Sequence, residues 1–206
     1  MSTKLNKSKN TNRYLQLIAI LIMNCTLTSC IYSTAVSSGA QAVYNRQSIK
    51  QNINDNYTTM QAYHAIDTYG NIYKDTHITI ATFNDSVLLA GQVVNAQQKV
   101  EIERIIRHET GDRTIYNFLE ISNPTSALTR TSDGWITGKI KSQLMAIDDA
   151  DPTQIKVVTE NGTVYLMGIV YPRQAEIAVD VARATSGVQR VVKILSYLQI
   201  VKRYKQ

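Results

Sequence analysis

The chain has 206 residues with 22 Lys and Arg against 16 Asp and Glu, a formal charge of +6. Four of those cations, Lys4, Lys7, Lys9 and Arg13, stand in the first 29 residues, which hold no acid, so the remainder carries 18 basic against 16 acidic groups, or +2. An excess that small excludes the net-charge footprint of a nucleic-acid binder.

The cations precede an uncharged apolar run from Tyr14 to Met23, the layout of a secretory leader over residues 1–29. A run of about ten residues is half of the roughly twenty that a membrane-spanning helix needs. Leu27-Thr28-Ser29-Cys30 resembles the lipobox of bacterial lipoproteins, an aliphatic residue and two small ones before the cysteine that is acylated. A core thiol, or a disulfide with Cys25, is the competing reading of Cys30. With Cys25 discarded in the leader and Cys30 blocked, zinc sites, disulfides and thiol catalysis are excluded. Ile31 after the cysteine favours the outer membrane under the common sorting rule. Residues 30–54 have little hydrophobic periodicity and read as a lipidated tether.

The next segment, 55–121, predicts a helix from Asp55 to Tyr69 and strands at His77 to Phe83 and Ser86 to Val93. A helix from Ala96 to Glu109 and a strand at Arg113 to Ile121 complete it. Its hairpin turn, Asn84-Asp85, lacks glycine. Residues 122–132, with Pro124 and many Ser and Thr, have the composition of a linker.

The same order of signals recurs over 133–201. Asp133 is placed to cap a helix whose apolar residues Ile136, Ile140, Leu144 and Ile147 form one stripe. Ile155, Val157 and Thr159 alternate with polar neighbours, Asn161-Gly162 makes a tight turn, and Val164, Leu166 and Gly168 alternate again, a hairpin. Pro172 fits the first turn of a helix ending near Ser186-Gly187, and Val188 to Ile200 reads as a closing strand. An offset of 77 superposes Ile78 on Ile155, Val87 on Val164, Leu89 on Leu166 and Gly91 on Gly168, so one module occurs twice. The fold class is α+β, two tandem αββαβ modules, each a three-stranded mixed sheet packed on two helices. Modules this small have small cores, and the two copies are expected to pack together.

Trp135-Ile136-Thr137, Lys141-Ser142-Gln143-Leu144, Val157-Val158-Thr159-Glu160-Asn161-Gly162, Leu166-Met167-Gly168 and Ser186-Gly187-Val188 resemble the BON domain family. The resemblance covers about residues 55 to 200 and is stronger in the second module. It implies the αββαβ fold and, for a lipid-anchored member with two modules, binding of anionic phospholipid through the first helix of the second. The first module is assigned no lipid site, because its helix carries Tyr63, His64 and Tyr69.

Trp135 lies about 100° around the helix from Ile136, at the edge of the expected core, with Lys139 and Ser142 on its flank and Lys141 on the other side. An indole beside lysines suits a headgroup region; a half-buried aromatic sealing helix to sheet is the competing reading. The expected phospholipid-binding residues are therefore Trp135, Lys139, Lys141 and Ser142. No catalytic or metal site is expected. His64, His77 and His108 are scattered through the first module, Asp148, Asp149 and Asp151 lack the pattern of a calcium loop, and no glycine cluster cradles a phosphate. The expected protein is a monomer without cofactor or nucleic acid on an anionic phospholipid surface, and envelope or division proteins are the alternative partners.

Overall fold

The computed structural model describes residues 39–69 and 74–198, the side chains of 39–50 excepted. The leader, Cys30 and the last residues of the expected closing strand lie outside the described residues. The first module is α1 (Gly39–Thr68), β1 (His77–Phe83), β2 (Ser86–Val93), α2 (Ala96–Thr110) and β3 (Thr114–Ile121). The second is α3 (Ala127–Met145), β4 (Ile155–Glu160), β5 (Thr163–Val170), α4 (Pro172–Ala184) and β6 (Arg190–Tyr197).

In both sheets the second strand is central, antiparallel to the first and parallel to the third. The hairpin turns make the antiparallel step, and the crossover helices α2 and α4 make the parallel one. Register repeats with the sequence: Ile78 pairs with Gly91 and Ile155 with Gly168. Gly91 has φ +118° and a Cβ there would stand 2.1 Å from the His77 carbonyl oxygen, so only glycine fits.

Each central strand is buried on both faces, which explains its nearly unbroken apolar sequence. One face meets the helices. In the first module Val87 and Leu89 pack with Ala62, Ile66, Ile102 and Ile106; in the second Val164 and Leu166 pack with Ile136, Ile140, Leu144 and Ala178. The other faces meet each other: Ala81, Leu88 and Ala90 pack with Tyr165, Met167 and Ile194, and the Phe118 and Tyr165 rings lie 5.3 Å apart. Burial there pushes the Tyr165 phenol up to about 12. The two copies thus share a third core between their sheets.

A buried polar latch crosses the same boundary. The Glu160 carboxylate accepts hydrogen bonds from Thr79 Oγ1 (2.9 Å) and Gln92 Nε2 (3.1 Å), with His77 Nε2 3.3 Å away. Gln92 Oε1 in turn accepts from the Thr125 amide at 3.0 Å, tying the connecting segment to both modules.

Two boundaries differ from the sequence expectation. The first helix begins at Gly39, inside the expected tether, and α3 begins at Ala127, inside the expected linker. Residues 127–132 of α3 are exposed or nearly so, and a helical turn with no buried side leaves no apolar period to detect. Asp133 is consequently not a cap. The cap is Ser126, whose hydroxyl accepts from the Thr129 amide at 3.1 Å. Ser126→Ala is expected to lower stability by about 1 kcal/mol in chemical denaturation; no change would mean that this first turn is frayed in solution.

Candidate functional site

The first helix of the second module is held by polar contacts on its inner side, and these decide what it shows to solvent. Asp133, 5% exposed, accepts from the turn amides of Asn161 (2.8 Å) and Gly162 (2.9 Å). One turn on, Thr137 Oγ1 donates to Thr159 Oγ1 at 2.7 Å. Gly187 brings the backbone against Ile136, whose Cδ1 would stand 2.9 Å from a Cβ there. With Asp133, Ile136, Ile140 and Leu144 all inward, the buried face centres near Ile140, about 140° around the helix from position 135.

Trp135 is accordingly 57% exposed. The Lys139 ammonium lies 4.8 Å from the centre of its ring, a cation–π contact that orders the indole and the charge together. Leu128 and Met145 are exposed along the same helix, and Gly134 and Gly138 leave the flank beside the indole without side chains. Ser142 belongs to the patch but donates its hydroxyl to the Lys139 carbonyl at 2.8 Å, so it shapes the helix surface.

Lys141 stands apart from these three. It lines a cleft of about 370 Å³ between α3 and α1, with Met145 and Lys156 on one side and Asn52 and Asn56 on the other. Lys156 donates to the Thr82 carbonyl at 2.8 Å, and burial, reinforced by the nearby charge of Lys141 and opposed by Asp55, holds its ammonium below the usual lysine range. The structure therefore brings together Trp135, Lys139 and Ser142, and separates Lys141 from them.

The remaining polar residues serve the fold. Asp151 accepts from the Thr153 amide and hydroxyl at 3.0 and 2.6 Å, which starts a single 3₁₀ turn, and Asp149 pairs with Arg173 at 2.6 Å. His64 and His108 are exposed, and His77 faces Glu160. Among the described residues no three His, Cys, Asp or Glu side chains converge as metal ligands, and no helix is long and apolar enough to cross a membrane.

Two packing contacts escape a reading by motifs. The Glu160 latch carries no local signature, because its partners lie 68 and 81 residues away in the chain. The aspartate clamp was detectable from the repeat. Asp55 in α1 accepts from the Asn84 amide at 2.9 Å, and Thr59 Oγ1 donates to Thr82 Oγ1 at 3.0 Å. These are the first module's versions of the contacts made by Asp133 and Thr137.

A doubled αββαβ fold, each copy with the same strand order, defines a tandem two-module protein. The chain belongs to the BON domain family, whose model matches residues 54–123 and 132–199. It is similar to the outer membrane lipoprotein DolP of Haemophilus influenzae, at 32% identity over 146 residues, 71% of this chain and 76% of that protein. The 21 kDa hemolysin of Actinobacillus pleuropneumoniae is 34% identical over 126 residues, 61% of this chain, which spans 65% of that relative. Osmotically-inducible protein Y of Escherichia coli is 25% identical over 184 residues, 85% of this chain and 91% of that protein.

Proposed function

We propose that this protein is a non-enzymatic lipoprotein, acylated at Cys30 once the leader is removed and held at the periplasmic face of the outer membrane. Its second module rests on anionic phospholipid through Trp135 and Lys139, with Ser142 within the patch and Lys141 a separate cation on the other side of α3, in support of envelope integrity. The observation that carries the reading is the half-exposed indole with an ammonium 4.8 Å above its ring on a helix anchored from behind. Indole favours the headgroup level, and a lysine there meets lipid phosphate. The similarity to an outer membrane lipoprotein supports the same location.

The two attachments differ in strength. Each cation near an anionic surface contributes about 1 kcal/mol, whereas each buried acyl CH₂ contributes about 0.8 kcal/mol. Acyl chains would retain the protein, and α3 would choose among lipids.

The test uses the chain from Cys30 onward, made without acyl groups, and vesicles of phosphatidylcholine with or without phosphatidylglycerol. Trp135→Ala is expected to weaken binding to the anionic vesicles roughly tenfold, about 1.4 kcal/mol. Lys139→Ala is expected to cost about 1 kcal/mol on anionic vesicles only. Equal and negligible binding by wild type and both variants rejects the site. The mass of the protein extracted from membranes checks the anchor: a retained leader, or no added lipid, rejects it.

A further inference from the structure

The contacts that fix α3 to its hairpin recur in α1 at a constant spacing of 78 residues, Asp55 with Asp133 and Thr59 with Thr137. That spacing settles which positions of the two helices correspond. It places Tyr57 at the position of Trp135, and the two are equally open, 59% and 57% exposed. Ile53 and Met60, four residues before Tyr57 and three after it, are 65% and 69% exposed, so α1 carries an apolar stripe with an aromatic at its centre.

We infer that this stripe, Ile53, Tyr57 and Met60 on α1, is a second lipid-contacting surface, through which the first module also lies on the bilayer. The inference rests on the acylated anchor and lipid contact proposed above.

Three observations select a lipid surface as the occupant. The first is charge. Asp55 is the single acid between Gly39 and Ile66, and it is turned inward to the Asn84 amide at 3% exposure, so the outward side of this stretch presents no carboxylate to an anionic membrane. The second is tether length. Gly39 follows Cys30 by nine residues, a span of at most about 30 Å even when fully extended, so an acylated Cys30 holds the start of α1 within that reach of the headgroups, and the stripe begins about 21 Å further along the helix. The third is size. Three side chains fall far short of the roughly 800 Å² per partner that a stable protein interface needs, whereas a membrane already held by acyl chains requires only a small contact. α1 and α3 also share one cleft. Asn56, next to Tyr57, and Met145, on the exposed side of α3, line the same cleft.

The chain has one tryptophan, which makes a depth measurement direct. The full acylated protein is reconstituted in phosphatidylcholine–phosphatidylglycerol vesicles, and its emission is read with and without bromine-labelled acyl chains. Wild type reports on position 135, and the double variant Tyr57→Trp/Trp135→Phe reports on position 57. The expected result is a blue shift and quenching by brominated lipid at both positions. Quenching at 135 with water-like, unquenched emission at 57 overturns the second surface and leaves the first reading intact. Vesicle-bound protein unquenched at both positions overturns both readings. A blue shift at 57 that grows with protein concentration, without lipid quenching, assigns the stripe to a second copy of the chain and overturns the inference.

Discussion

Asp133→Asn is expected to destabilise the protein by about 2 kcal/mol, whereas the matching change in the other module, Asp55→Asn, leaves stability at neutral pH unchanged or higher. The two aspartates occupy corresponding positions but differ in how their oxygens are used. Both oxygens of Asp133 accept from turn amides, at 2.8 and 2.9 Å, so an amide side chain must point its own NH₂ at one of those N–H groups. Asp55 has one oxygen on the Asn84 amide, while its Oδ1 is buried without a hydrogen-bond partner. Burial is the strongest influence on Asp55 and raises its carboxyl above the ordinary value of 3.8, against the lowering effects of the Asn84 amide and of Lys156 and Arg113.

The sign of the pH effect follows from that direction. A carboxyl titrating higher in the folded than in the unfolded chain favours folding fully while both states are protonated. That contribution is lost as pH rises from the unfolded value through the folded one. Wild type should therefore lose stability relative to Asp55→Asn as pH is raised from about 4 towards neutrality. Asp133→Asn should lower the melting temperature by about 4–8 °C at pH 7. Thermal melts across that range check both. Equal losses from the two substitutions, or parallel pH profiles for wild type and Asp55→Asn, would show that the unpartnered oxygen carries no penalty.

The same pair shows which parts of this molecule are legible in its sequence. Alternation marks β4, where burial follows a period of two, whereas β5 is buried on both faces and is marked by the Asn161-Gly162 turn before it. The offset of 77 then places β1 and β2 in the first copy. Asp133 has the look of a cap because it is an acid three residues before Ile136, but its partners, the amides of Asn161 and Gly162, lie 28 and 29 residues downstream. Trp135 stands well clear of the core rather than at its edge, because the stripe of Ile136, Ile140 and Leu144 centres on Ile140, about 140° around the helix from position 135. The first turns of α3, exposed or nearly so, leave no apolar period. At the site, residue types identified Trp135, Lys139 and Ser142 as neighbours, since helical spacing alone brings them together. The cleft holding Lys141 depends on how one module sits against the other, which no local pattern encodes.

That packing makes a large stability prediction. Leu88 and Met167 are both fully buried, in different modules, within the core between the two sheets. Truncating either to alanine should cost about 3 kcal/mol, the transfer term of the lost atoms plus the cavity left behind. Where the cost appears is more informative than its size. A module of this length has a small core of its own, and here each sheet buries its second face only against the other copy. Glu160 adds a buried carboxylate whose hydrogen-bond donors, Thr79 and Gln92, belong entirely to the first module. Separating the modules would expose both apolar faces and replace those bonds with water. Unfolding should accordingly be one transition, and Leu88→Ala and Met167→Ala should each shift the whole of it to lower denaturant. Calorimetry and urea titration followed by far-ultraviolet dichroism check this. Two resolved transitions, with only the mutated module's midpoint displaced, would show that the copies fold independently and that the shared core contributes little to either.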